Sequence, residues 1–223
     1  MEETIAILMA DLSGYTALTE THGPVSAADL IDRYVEIVED CLVGDSRLSE
    51  RTGDEVMIVS KSPDCLLASA YMIMKATSTE ENFLQVHGGL HYGDVLKRRS
   101  RYFGSSVNMT SRIAAKANPG TFWCSEDFVN SLSDKSLAQL QPKGKHSFKN
   151  ISGDKDMYEL RSENEKSFFI DSVCRMLLLD TNKAVKHPTL EDTYFCSTAC
   201  RDIFLKNQSG HLHVDSPPFL KDL

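Results

Sequence analysis

The alternation of apolar and polar positions divides the chain into short, sharply bounded elements. Thr4–Leu12 is an apolar run of strand length that reaches Asp11 at its end. Ser26–Val43 carries Leu30, Tyr34, Ile37, Val38, Cys41 and Leu42 at helical spacing. Arg47–Arg51 and Glu55–Ser60 read as a hairpin around Thr52-Gly53, and Pro63 opens a helix that runs to about Thr77. Gln85–Tyr92 and Val95–Arg98 read as a second hairpin with Gly93-Asp94 at its turn. A glycine-started helix follows Gly104 and ends near Asn118-Pro119-Gly120. Thr121–Cys124 is a strand, Ser125-Glu126-Asp127 caps a short helix, and Met157–Leu160 is a last strand. Strand, helix, hairpin, helix, hairpin, helix, strand predicts an α+β layer: a mainly antiparallel sheet with helices on one face.

Three of these segments end in chemistry. Asp11 closes the first strand and leads into Leu12-Ser13-Gly14-Tyr15-Thr16. Asp54 follows Gly53 in the hairpin turn. A carboxylate at a strand end, beside a glycine that lets backbone approach a ligand, suits Mg²⁺ held against a triphosphate, and two can hold a metal pair. Each alone is also ordinary hairpin chemistry. Asn108 and Arg112 lie four apart, so they project from one helical face. An amide and a guanidinium pointing together suit a ribose and a phosphate. Taken alone, they read equally as a solvated helix face.

Together the three segments resemble the class III nucleotidyl cyclases, the adenylate and guanylate cyclase family. The resemblance runs from about Thr4 to Leu160. It includes Pro119-Gly120 leading into a strand, and Phe148-Lys149-Asn150-Ile151 where the family usually has Leu-Lys-Gly-Ile. It implies a ferredoxin-like palm over residues 1–160 that pairs head to tail as a homodimer, with each active site shared between protomers. It further implies a nucleoside triphosphate substrate and two Mg²⁺ or Mn²⁺ ions per site, held by Asp11 and Asp54. The backbone from Leu12 to Thr16 would cradle phosphate oxygens. From the partner, Arg112 would stabilise charge on the α-phosphate, Asn108 would orient the ribose, and Lys149 would hold the terminal phosphates. Because every such position carries the family's residue type, a nucleotide-sensing pseudo-cyclase is the weaker expectation.

Base choice departs from the family. Four residues before the second metal aspartate, adenylate cyclases usually carry Lys and guanylate cyclases Glu; here it is Glu50. Three residues before the helix glycine stands Arg101, where the family carries Asp, Thr or often Cys. Glu accepts only and Arg donates only, which suits guanine, cytosine or uracil and does not exclude adenine. Arg101 adds bulk to the pocket wall, and a one-ring base leaves room for it. The two residues could also simply pair with each other. In its small size and non-purine pocket the chain resembles the pyrimidine cyclases of bacterial antiphage defence, the Pycsar systems, which would make cUMP or cCMP as a second messenger. A guanylate or adenylate cyclase in general signalling is the alternative.

Residues 161–167 are charged and polar and read as a linker. Residues 168–223 read as a small module resembling the YHS type. Cys174, then Cys196 and Cys200 as a Cys-x3-Cys pair, have the spacing of a zinc site. Ser172 and Arg175 replace the Pro and Gly of the common Asp-Pro-Val-Cys-Gly-Met motif. A closed tetrahedron needs a fourth ligand, for which His187, His211 and His213 are the candidates; the cysteines could equally pack as core. With 32 acidic and 24 basic residues and a net charge of −8, no nucleic acid polymer is expected as a partner. No apolar run reaches the roughly 18 residues that span a bilayer. The start Met-Glu-Glu-Thr lacks a basic leader, so a cytoplasmic protein without membrane contact is expected.

Overall fold

The computed structural model describes residues 1–161 and 169–210. Its centre is β1 (Glu2–Ser13), which pairs antiparallel with β4 (Gln85–Arg98) over twelve consecutive positions, from Glu2 opposite Leu96 to Ser13 opposite Gln85. On its other side β1 pairs with β3 (Glu55–Ser60), and β3 with β2 (Arg47–Thr52). Beyond β4 lie β6 (Phe122–Ser125), β8 (Lys155–Arg161) and β7 (Gln139–His146), while β5 (Arg101–Phe103) adds to the far end of β4.

The α+β palm expectation holds, with three corrections. Gly93 and Asp94 do not turn the chain. They lie inside one long strand opposite Ile5 and Thr4, and Thr4 Oγ1 donates to Asp94 Oδ1 at 2.5 Å. The turn falls at Arg99 and Ser100, where Arg99 takes φ 56. The sheet is mixed, because β4 and β6 run parallel. Its helices also occupy both faces. Ala6, Leu8, Ala10 and Leu12 of β1 pack with α1 (Tyr15–Asp40), α2 (Pro63–Thr77) and α4 (Glu126–Ser131). The alternate residues Ile5, Ile7 and Met9 join Val95, Tyr102 and Ala114 of α3 (Ser105–Lys116). Side chains that alternate along a strand feed two layers at once, so the apolar run of β1 belongs to a strand covered on both sides.

Local signals place the helices. Ser62 caps α2 by accepting from the Cys65 N–H at 3.2 Å, with Pro63 in the first turn. Ser125 does the same for α4 through Phe128 at 3.2 Å. α3 lies against β4 because Gly89 has no side chain: a Cβ there would meet the Ala114 nitrogen at 2.4 Å. α1 is broken at Gly23-Pro24, where Gly23 takes φ 83 and ψ 170.

The expected linker 161–167 lies outside the described residues apart from Arg161. After it come β9 (Phe169–Ile170) paired with β10 (Leu177–Leu178), β11 (Val185–Lys186) paired with β12 (Tyr194–Phe195), and α5 (Thr198–Gly210). This segment is docked on the core formed by the preceding residues. Leu177 exchanges backbone bonds with the 82–83 loop, at 2.6 Å to the Phe83 carbonyl and 3.2 Å from the Asn82 N–H. Met176 packs against both hydrophobic clusters. Among the described residues, no helix is long and apolar enough to cross a membrane.

Candidate active site

Asp11 sits near the end of β1 opposite His87 of β4, and Asp54 lies in the β2–β3 turn. The two carboxyls share one environment. Burial, then the negative charge of Asp11, pushes Asp54 up to about 6. Burial also raises Asp11, against a hydrogen bond from Asp54 that pulls it down. Glu55 is raised by burial and by Asp54. Asp11 Oδ1 is buried with no hydrogen-bond partner. The buried Tyr34 hydroxyl is also unpartnered, and burial with the charges of Asp11, Asp54 and Glu55 lifts its pKa well above the usual value. His87 binds Ser13 Oγ through Nδ1 at 2.9 Å, and burial lowers its pKa against the pull of Asp54. Crowded carboxylates with an orphaned buried oxygen are the electrostatic complement of a divalent cation, so a metal fits Asp11 and Asp54.

Ser13, Gly14, Tyr15 and Thr16 form the passage from β1 into α1. Gly14 is the N-cap in the left-handed region at φ 94, and no side chain caps the helix. The first N–H groups of α1 thus have no side-chain cap, while Leu12 and Ser13 of the expected Leu12–Thr16 cradle lie within β1 opposite Val86 and Gln85.

Asn108 and Arg112 share one face of α3, as their spacing predicted. They line a pocket of about 250 Å³ together with His91, Asp127, Asn150 and Lys155. Arg112 Nη1 is buried without a partner, a cationic donor awaiting an anion. Lys149 is exposed and does not line this pocket; its neighbours Asn150 and Ile151 do. His91, held by Ser125 Oγ at 2.8 Å, and Lys155 were missed from sequence because neither stands in a recognisable motif. Neither Asp11 nor Asp54 lines the pocket.

Glu50 sits at a β-bulge in β2, and Arg101 opens β5. Among the described residues no ion pair joins them. Strands β2 and β5 nevertheless meet, because the Arg47 guanidinium donates to the Tyr102 hydroxyl.

The three C-terminal cysteines come together. Cys174 and Cys196 sulfurs lie 3.5 Å apart, and Cys196 and Cys200 sulfurs 3.6 Å. His187 does not join them. Its Nδ1 accepts from the backbone of Thr189 and Leu190, and its ring packs on Phe204. His211 and His213 lie outside the described residues.

The family described as the adenylate and guanylate cyclase catalytic domain matches residues 1–172. Fold, metal-type carboxylates and family match agree, and the chain belongs to that family. It is 37% identical over 132 residues to an uncharacterized protein of Mycobacterium tuberculosis, covering 59% of this chain and 35% of that one. It is 29% identical over 167 residues to an adenylate cyclase of Glutamicibacter nicotianae, covering 74% of this chain and 41% of the other. The chain thus spans less than half the length of these relatives. In fold it is similar to an adenylate cyclase of Trypanosoma brucei solved in its monomeric state. The TM-score is 0.67 at 20% identity, over 79% of this chain and 93% of the other.

Proposed function

We propose that the chain is a nucleotidyl cyclase that works as a head-to-tail homodimer. The observation that carries this is a pair of orphans of opposite charge on separate parts of one chain. Asp11 Oδ1 needs a cation and Arg112 Nη1 needs an anion. A metal-bound triphosphate satisfies both, and a second protomer allows one substrate to reach both.

In this reading Asp11 and Asp54 hold two Mg²⁺ or Mn²⁺ ions, which supply Lewis-acid neutralisation of the triphosphate and of the attacking oxygen. The free N–H groups after Gly14 bind phosphate oxygens. The partner subunit's Asn108 orients the ribose, and the partner subunit's Arg112 offsets charge developing on the α-phosphate. The partner subunit's Lys149, outside the pocket that Lys155 lines, would hold the terminal phosphates. The ribose 3′-oxygen forms a bond to the α-phosphorus and loses its proton to solvent. The bond to the β-phosphate oxygen breaks, and pyrophosphate leaves. Both reacting groups belong to one molecule, so positioning carries much of the rate.

For the base, our reading is a pyrimidine, UTP ahead of CTP, with the product serving as a second messenger in antiphage defence. What supports it is that Glu50 offers only acceptors and Arg101 only donors, with the bulk of Arg101 favouring a one-ring base. A purine reading is favoured by relatives named adenylate cyclases. Purified protein incubated with Mn²⁺ and ATP, GTP, CTP or UTP separately tests both levels. Pyrophosphate release from none of the four overturns the cyclase reading. A higher kcat/KM for ATP or GTP overturns only the base.

A further inference from the structure

Beside the three cysteine sulfurs stands a fourth donor that comes from the cyclase core. His22, on α1, brings Nε2 to 3.5 Å from both Cys196 Sγ and Cys200 Sγ. The four ligand atoms of His22, Cys174, Cys196 and Cys200 all lie within 4.8 Å of one another. We propose that these residues form a Cys₃His zinc site that clamps the C-terminal segment onto helix α1 of the cyclase core.

Geometry supports the metal over the alternatives. A tetrahedral ion with Zn–S of about 2.3 Å and Zn–N of about 2.0 Å sets sulfurs about 3.8 Å apart and sulfur from nitrogen about 3.5 Å. The observed separations are 3.5 and 3.6 Å between sulfurs and 3.5 Å from each of two sulfurs to nitrogen. A disulfide needs about 2.05 Å, and all three cysteines are free. A single thiol hydrogen bond would draw the imidazole nitrogen toward one sulfur, whereas His22 Nε2 lies 3.5 Å from two. Three thiolates and one imidazole are the donor set of structural zinc, and four protein ligands leave no open position for catalysis.

The surroundings are built to hold the ligands. Buried Asp171 accepts from the backbone N–H groups of Val173, Cys174 and Cys196 at 2.8, 3.2 and 2.8 Å. One carboxylate thus fixes two of the three cysteine backbones, the support that metal sites place behind their ligands. Phe195 and Phe204 close the apolar side. The residue before Gly23 is His22 itself, so the break in α1 frees the ligand from the regular helix that follows.

The site joins parts of the chain that are distant in sequence: His22 and Cys200 are 178 residues apart. Binding therefore adds its free energy to the docked arrangement and not to either part alone. The clamp also sets Arg175 against Gly14, where an added Cβ would meet the arginine Cβ at 2.6 Å. The segment consequently rests on the turn that begins the phosphate cradle.

Metal analysis of the full chain purified without chelator tests this. The expected result is about one zinc per chain, with X-ray absorption at the zinc edge fitting three sulfurs and one nitrogen. Replacing zinc with Co²⁺ should give thiolate charge-transfer and tetrahedral ligand-field bands. His22→Ala should weaken metal binding at least about 100-fold, the upper end of what lesser changes around a metal produce. His22→Cys should retain zinc with a four-sulfur signature, which separates loss of a ligand from loss of folding. Wild-type protein that holds no zinc and titrates as free thiols overturns the site. An unchanged Co²⁺ spectrum in His22→Ala or His22→Cys overturns His22 as the ligand and thus the clamp.

Discussion

The Asp54 carboxyl shares its surroundings with that of Asp11, and burial together with the Asp11 charge pushes its pKa up to about 6. Two acids packed this closely do not ionise together without cost unless a cation lies between them. The arrangement is therefore strained when empty of metal, and the strain has a sign. Between the ordinary carboxylate range and about pH 6, the folded pair keeps a proton that the unfolded chain has released. Stability from this pair is thus lost as pH rises through that window.

Asp54→Asn should accordingly stabilise the protein when no Mg²⁺ or Mn²⁺ is added, while abolishing cyclase activity. The gain should be present at pH 8 and absent near pH 4. Each kcal/mol relieved corresponds to about 2–4 °C in a chain of this size. Thermal melts of both proteins at the two pH values measure it; equal melting points at pH 8 contradict the strain.

Metal affinity should follow the same proton. Mn²⁺ must displace it below about pH 6, so apparent affinity should fall by up to about tenfold per pH unit there, and level off above. Titration of Mn²⁺ between pH 5 and 8 reads this directly. An affinity flat across that range would remove Asp54 from the metal.

The shared site predicts rescue. Asp54→Ala and Arg112→Ala chains should each be inactive alone, because each spoils both sites of its own dimer. Mixed after subunit exchange, half the dimers are heterodimers with one complete site, so activity should return to about a quarter of wild type. Verified exchange without activity would place both halves of the site within one chain.

Arg101 should carry base discrimination. Arg101→Ala should reduce pyrimidine turnover at least severalfold, since it removes the donor proposed to read a base carbonyl. It should also widen access to purines by opening the pocket wall. Steady-state kcat/KM for UTP and ATP on both proteins decides; an unchanged ratio takes Arg101 out of base reading.

Local signals made much of the fold legible. Pro63 with Ser62 before it marks the start of α2, whose observed span Pro63–Thr77 matches the sequence expectation. β7 was invisible because Gln139–His146 carries one large apolar residue, Leu140, and so shows no alternation. Gly93-Asp94 misled because turn chemistry is judged over two residues, whereas β1 enforces pairing on both sides of them. The family resemblance singled out Asp11, Asp54, Asn108 and Arg112 and implied a head-to-tail dimer. Tyr34 read as a core helix residue, and its hydroxyl facing the acids depends on how α1 lies on the sheet. His22 could not be read at all: its partners begin at Cys174, and no local pattern distinguishes it from a surface histidine.

The break at Gly23-Pro24 gives α1 two separate mechanical parts. Residues 24–40 hold Leu30, Ile31, Tyr34, Ile37 and Val38 in the core and cannot shift without disturbing it. Residues 15–22 contribute the core residue Leu18 and run from the phosphate-side turn to His22. That segment is about 12 Å long. The C-terminal segment touches both of its ends, the cysteine sulfurs beside His22 and Arg175 against Gly14, so the turn after β1 is positioned by residues about 160 positions further along the chain.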